Sequence, residues 1–344
     1  MQAAIFRRTG EPVDVIEIQS IHTNKSPSGA DSASAHAAQT PAKGMVRVRM
    51  EAAPINPSDL MTIRGRYTKQ PPLPARIGYE GAGIVSAANA GLYGRWLVGK
   101  RVAVLAADGG TWGEELDLPA KNVIPVGSKL NSLEAASFFV NPATTWLLTN
   151  QSLSIPQGGW LVQSAAASAV GQMVCALGKH YGFRTMNLVR SASALEIVKR
   201  AGGDAVIVTD DAGLWKEELQ QQLPGGRIRY AIDPVGGELA ATLVSMLGES
   251  GQIVLYGTLS HEPMSFSPRS LMTYGASVRG FWLGAEMARM NLWKKLSLVK
   301  TIRYLQERRI LRTEVGLQFP IDEVHQAVLA AEAPQKSGKV YLVF

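Results

Sequence analysis

One cysteine, Cys175, stands among 344 residues. The chain therefore has no internal disulfide, and it lacks the thiolates from which structural zinc sites are built. No run approaches the ~18 to 20 uninterrupted apolar residues that span a bilayer, and the opening stretch Met1 to Gly10 lacks the apolar centre of a secretory signal. These absences predict a soluble, unexported protein of the cytoplasm with no membrane partner. Aromatic residues make up only 7%, and the basic stretches are not interleaved with the stacking rings that single-stranded nucleic acid requires, which disfavours that partner. Five histidines are present, none in an HExxH or comparable spacing, so metal-assisted hydrolysis has no visible ligand set.

What is present is core material: 46% hydrophobic residues with 34 Gly and 18 Pro, and a moderate net charge of +7. The length is about twice the ~150 residues of a typical domain, so two domains are expected. Short apolar or alternating runs at Ala3 to Phe6, Val15 to Gln19, Met45 to Met50, Gly83 to Ser86 and Arg101 to Leu105 predict a β-rich, barrel-like first half. The segment 22–44, rich in Ser, Ala, Pro, Thr and Gly, reads as a flexible insertion, either a tolerated loop or a lid. From about Asn141 strands and helices alternate, the signature of a doubly wound parallel sheet and an α/β fold. Expected strands are Trp160 to Gln163, Thr185 to Val189, Ala205 to Val208, Tyr230 to Ile232, Gly251 to Tyr256 and Ser277 to Phe281. The last strand, Lys339 to Phe344, is assigned back to the first domain. The expected domains are 1–138 with 305–344, and 139–304.

At the first strand-to-helix turn stand Ala165, Ala166, Ala167, Ser168, Ala169, Val170 and Gly171. Small side chains there let a turn tighten and aim helix amides at a pyrophosphate, although close helix packing would select the same residues. Nineteen residues after Gly171 comes Arg190, with Ser191 and Ser193 beside it. A basic residue at the end of the second strand pairs with the 2'-phosphate of NADP, where an acid would hold the ribose of NAD; the bland reading is a solvated arginine. Asp233 to Gly237 and Tyr256-Gly257 lie at the carboxyl ends of later strands, as cofactor contacts or as simple turns.

Several pieces in this order carry a resemblance: Asn56-Pro57-Ser58-Asp59, Gly65-Arg66-Tyr67, Gly78-Tyr79-Glu80-Gly81, Asn141-Pro142-Ala143-Thr144, the turn through Gly171, Arg279-Gly280-Phe281-Trp282-Leu283 and Gly338-Lys339. The chain resembles the medium-chain dehydrogenase/reductase superfamily, in its zinc-free quinone oxidoreductase and mitochondrial-type 2-enoyl thioester reductase branch. The resemblance implies a GroES-like catalytic domain joined to a Rossmann domain, a site in the cleft between them, NADP (NADPH) as cofactor, and a homodimer. It departs from the zinc-dependent members, which carry a cysteine before Ser-Asp and a histidine in Gly-His-Glu; here Asn56-Pro57 and Tyr79 stand instead. The turn also has Ala169 where relatives carry Gly, and Ala167 in place of their Asn.

Without a metal to polarise a ketone, the chemistry that fits is conjugate reduction of an activated C=C or a quinone. The resemblance makes Tyr67 the candidate acid, or else a wall of the pocket, and Asn56 a polar group near the reacting atoms. Trp282 and Arg64 are candidate substrate-pocket residues. Arg64, Arg66, Lys69 and Arg76, with no acid between Asp59 and Glu80, form a basic loop that reads either as an ordinary solvated face or as one that steers an anionic substrate. Candidate cofactor contacts are Asn141, Thr144, Ala166, Ser168, Ala169, Val170, Gly171, Arg190, Tyr256, Gly257, Phe281 and Lys339, and no metal is expected. The expected partner is a small molecule, an enoyl thioester or a quinone. A non-catalytic, crystallin-like protein binding NADPH or RNA is the alternative from another class.

Overall fold

The computed structural model describes residues 1–20, 40–67, 69–127, 129–209, 213–333 and 338–344. Two compact units result, Met1–Phe138 with Thr313–Phe344, and Phe139–Arg312. The expected return to the first domain at residue 305 falls inside the helix Leu292–Glu307, so the division comes only after that helix has ended. Most of the expected insertion 22–44 lies outside the described residues. Its last five residues form a turn beside Asn89, whose Nδ2 donates to the Pro41 carbonyl at 2.9 Å.

In the first unit, β-sheet dominates. Among the described residues the strands run Val315–Pro320, Lys339–Val343, Met45–Pro54, Glu80–Ala88, Arg101–Leu105 and Val123–Pro125 in sheet order, with Glu115–Pro119 also paired to Met45–Pro54. Alternation along Met45–Pro54 buries Val46, Val48 and Met50 against Val85, Val102, Val104 and Leu116, as a pleat with one apolar face requires. The closing strand pairs antiparallel with Met45–Pro54, placing Tyr341 opposite Pro54. Between strands the sequence also forms the helices Pro57–Ile63 and Gly91–Leu97, which strand-length reasoning passed over.

The second unit holds a parallel sheet in the order Ala205–Val208, Arg184–Val189, Trp160–Gln163, Ile228–Asp233, Leu247–Leu255, Ser277–Gly280. In sequence rank this is 3-2-1-4-5-6, the doubly wound order whose direction switches between the first and fourth strands. The helix Ala169–Tyr181 starts where Ser168 accepts a hydrogen bond from the Gly171 amide and ends at Gly182 in the left-handed region. Its buried Val170, Met173, Val174 and Leu177 recur at helical spacing. Cys175 is buried on the same helix, and burial pushes its thiol up to about 12. One strand begins earlier than expected, at Leu247 rather than Gly251, because the preceding helix already stops at Ser245.

Gly78 shows how tightly the first unit is closed. Its φ is +93°, and a Cβ there would lie 2.2 Å from Thr111 Oγ1 and 2.3 Å from a carbon of the buried Trp112 ring. Gly44 has φ +84° with nothing within 4 Å. In urea unfolding, Gly78→Ala is expected to lose about 2 kcal/mol or more, against about 1 kcal/mol for Gly44→Ala, which meets only the backbone penalty.

Candidate active site

In the first unit the candidate residues gather around the N-terminus of the helix Pro57–Ile63. Asn56 caps that helix, and Asp59 reaches back to the Asn56 amide through Oδ2 at 2.8 Å. Asp59 Oδ1 accepts from the Tyr79 amide at 3.1 Å. The Asn56 side chain is engaged on both sides: Nδ2 donates to Glu80 Oε1 at 2.9 Å, and Oδ1 accepts from Lys339 Nζ. Asn56, Asp59 and Glu80 are each at most 3% exposed, so the cluster is dry. Burial is the main reason that Asp59 is pushed up to about 7, with the Glu80 charge adding to the rise and the two amides and Lys339 opposing it.

Tyr67 lies on the loop that follows this helix. Its ring packs on that of Tyr79 with centroids 5.7 Å apart and planes at 35°. Tyr79 Oη is 2.7 Å from Thr62 Oγ1, and burial raises its pKa. The structure thus brings Tyr67, Asn56 and Lys339 into one neighbourhood, linked through Asp59 and Tyr79, two residues that were not among the candidates. Asp59 could have been found: an acid three residues after an Asn that precedes Pro is a capping-box signal.

Arg64 takes another role. Its guanidinium forms a two-pronged bond to Glu332 at 2.7 and 2.9 Å and a further bond to Glu11 at 2.9 Å, and these bonds raise its pKa. It therefore fastens the end of its helix to the N-terminal segment and to the helix Val324–Glu332, and its assignment to the substrate pocket is corrected. Two other basic side chains of the loop also meet partners: Lys69 pairs with Asp108 at 3.1 Å, and Arg76 donates to the carbonyls of Gly110 and Glu115. The acids paired with Arg64 and Lys69 come from distant sequence, which the local charge count could not see.

In the second unit the turn after Trp160–Gln163 has the tightness a pyrophosphate cradle needs. Ala165 takes φ 50°, and a Cβ on Gly171 would sit 2.4 Å from the Ala166 carbonyl oxygen. Gly171 thus permits the close turn-to-helix contact, with Ala166 in the turn, Ser168 capping the helix and Ala169 and Val170 in its first turn. Ser164, missed in the sequence, bonds through its hydroxyl to Asp233 Oδ1, while Asp233 Oδ2 accepts from the Gly236 amide at 2.6 Å. The first and fourth strands are thereby joined at the switch point. The Tyr256 amide donates to the Asp233 carbonyl at 2.9 Å. Its buried hydroxyl lies near Ser168 and, among the described residues, meets no partner at full hydrogen-bond geometry. A Cβ on Gly257 would meet the Pro234 carbonyl at 2.7 Å.

Arg190 is exposed at the end of the second strand, next to the Ser191–Ser193 hydroxyl pair at 2.7 Å. Asn141 and Thr144 lie on the helix Val140–Trp146, with Thr144 buried. Phe281 is buried and its amide donates to Leu255 at 2.7 Å, whereas Trp282 is 40% exposed and so is not core. These residues fit a dinucleotide whose phosphates meet the small-residue turn and whose adenosine end meets Arg190.

Residues 42–128 match the alcohol dehydrogenase GroES-like domain, and residues 169–298 match the zinc-binding dehydrogenase family. Together they define a two-domain dehydrogenase/reductase. The chain belongs to the medium-chain dehydrogenase/reductase superfamily, in its quinone oxidoreductase and enoyl reductase branch. It is 34% identical over 251 residues to a mitochondrial enoyl-[acyl-carrier-protein] reductase of Caenorhabditis elegans, spanning 72% of this chain and 71% of the relative. Among solved structures it is similar to Escherichia coli quinone oxidoreductase complexed with NADPH, at 20% identity and TM-score 0.85 over 100% of both chains. It is also similar to the Etr1p/NADP/crotonyl-CoA complex, at 22% identity and TM-score 0.82, covering 100% of this chain and 99% of that one. The zinc in the second family's description finds a poor match here: the amide of Asn56 is engaged, Asp59 is taken by backbone amides, and Tyr79 holds Thr62. No group of three or more His, Cys, Asp or Glu among the described residues could hold a metal ion.

Asp59 gives the site a pH signature. Between the unfolded value of 3.8 and the folded value of about 7, the folded chain keeps a proton that the unfolded chain has lost, so the stabilisation is present at low pH and fades as pH rises through about 7. Thermal melting is expected to show the Asp59 contribution falling from about pH 4 to about pH 7, with a flatter profile in Asp59→Asn.

Proposed function

We propose that this protein is an NADPH-dependent, metal-independent reductase of conjugated C=C bonds, acting on 2-enoyl thioesters. The observation that carries this reading is the donor set around Asn56. An engaged amide and a phenol stand where metal-dependent members hold a cysteine and a histidine, the buried carboxylate of Asp59 is bonded beside them, and Tyr67 lies against Tyr79. Such a set moves and orients protons, and conjugate reduction needs a proton source at carbon.

NADPH would be held by Ala166, Ser168, Ala169, Val170 and Gly171 at its phosphates and by Arg190 at its 2'-phosphate. Asn141, Thr144, Tyr256, Gly257, Phe281 and Lys339 are the further contacts in this reading. The chemistry it supplies is a hydride for the β-carbon of the thioester. Tyr67 Oη gives its proton to the α-carbon as the enolate collapses. Asn56, with Oδ1 turned to Lys339 and one Nδ2 hydrogen on Glu80, keeps a second Nδ2 hydrogen for the developing oxyanion. Trp282, 40% exposed just after the Ser277–Gly280 strand, is the candidate for contact with the acyl group in this reading.

The quinone reading shares the cofactor turn and is supported by the likeness to Escherichia coli quinone oxidoreductase; there Tyr67 would only line the pocket. For compartment, the relatives are named mitochondrial, while the single buried Cys175 suits any reducing compartment, the cytoplasm included. No helix among the described residues is long and apolar enough to cross a membrane.

The deciding assay follows NADPH oxidation by EDTA-treated protein with a short trans-2-enoyl-CoA and, in parallel, a benzoquinone. The thioester is expected to turn over faster, and Tyr67→Phe to lower kcat about 100-fold; preference for the quinone with an active Tyr67→Phe would make the protein a quinone reductase. Arg190→Ala is expected to raise KM for NADPH about 10-fold or more while leaving NADH kinetics unchanged, the loss of a charge-assisted contact.

A further inference from the structure

Tyr79 occupies the position where zinc-dependent members place a histidine, and the structure fixes it at three points. Its backbone amide is held by Asp59 Oδ1 at 3.1 Å, its hydroxyl lies 2.7 Å from Thr62 Oγ1, and its ring carries that of Tyr67 at 5.7 Å. The direction of the middle bond follows from counting protons. Thr62 has one hydroxyl hydrogen, and it is directed to the Ser58 carbonyl at 2.9 Å. Tyr79 must therefore be the donor and Thr62 the acceptor. The phenolic proton of Tyr79 is committed to the protein, and burial raises its pKa, so Tyr79 itself does not supply the substrate proton.

Tyr67, in contrast, sits on an irregular loop between the helix Pro57–Ile63 and the strand Ala75–Arg76. No helix or strand holds its backbone in register, so the direction of its phenol depends on side-chain contacts. The tilted face of Tyr79 is such a contact, and it is fixed by a bond to the very helix from which the loop departs. We propose that Tyr79 is a positioning residue that holds the Tyr67 phenol in the orientation for proton delivery, with Thr62 as its tether. The proton that moves is that of Tyr67, from Oη to the substrate carbon, while Tyr79 keeps its own.

This inference rests on the reading of Tyr67 as the acid, and the test separates the two. With a short trans-2-enoyl-CoA, kcat, KM for NADPH and the solvent deuterium isotope effect are measured for Tyr67→Phe, Tyr79→Ala, Tyr79→Phe, Thr62→Val and the double variants. Tyr79→Ala is expected to lower kcat about 10-fold or more, with KM for NADPH unchanged and a larger solvent isotope effect, because proton delivery becomes the slow step. Tyr79→Phe and Thr62→Val, which keep the ring and remove only the tether, are expected to cost about 2- to 5-fold each, and no more when combined, since they break the same bond. In the Tyr67→Phe background Tyr79→Ala is expected to add nothing. If it lowers kcat there by the same factor as in the wild type, the positioning role is wrong while Tyr67 remains the acid. If Tyr67→Phe itself keeps full activity, the acid assignment fails first. The milder Tyr79→Phe and Thr62→Val carry the test should Tyr79→Ala melt early; full activity with an unchanged isotope effect in both would overturn the proposal.

Discussion

A buried ammonium facing two buried carboxylates is the constraint from which the first unit's interior follows. Lys339, Glu80 and Asp59 come from the closing strand, the start of a central strand and a short helix, and all three are withdrawn from solvent. Charges taken out of water are tolerated only when paired and fully hydrogen-bonded. The Asn56 side chain meets that requirement, accepting from Lys339 with one end and donating to Glu80 with the other. Because Lys339 lies near the C-terminus, this cluster gives the closing strand a chemical reason to return beside Met45–Pro54, in addition to the apolar one supplied by Val340 and Leu342. The same hub orients the capping carboxylate of Asp59, and through its second oxygen the backbone of Tyr79.

The second unit is governed by closeness of approach rather than by charge. Gly171 is the position of the turn where a side chain has nowhere to go, and Ala165 accepts a left-handed backbone that small residues tolerate better than large ones. With Ala169 where relatives carry Gly and Ala167 where they carry Asn, the helix still begins at Ala169 behind its Ser168 cap. Asp233 then braces the turn from the fourth strand through Ser164, a polar strut across the point where strand order reverses.

How legible these features were depended on how local their causes are. Periodicity carried the parallel sheet and the helix Ala169–Tyr181, since the apolar spacing, the Ser168 cap and Gly182 all lie within the element itself. The strand Leu247–Leu255 was read four residues short because Gly248 and Gly251 interrupt its apolar run, yet tertiary pairing with Ile228–Asp233 carries it through. Arg64 was misread for a different reason: its partners lie 53 and 268 residues away, a distance over which sequence shows charge but not pairing. Ser164 left no signal at all, one serine among several small residues, distinguished only by the aspartate that folding places beside it. Tyr79 was legible as a departure from the metal-dependent pattern but not as a contact of Tyr67, because ring-to-ring distance is a property of the folded loop.

Cys175 gives the chain a chemical consequence of its own. Conjugated thioesters and quinones are Michael acceptors, and the group in a protein that they alkylate most readily is an accessible thiolate. The one cysteine of this chain is buried on the helix Ala169–Tyr181 and its proton is held far above neutral pH. Under the proposed function, the chain's single cysteine offers such electrophiles no accessible thiolate.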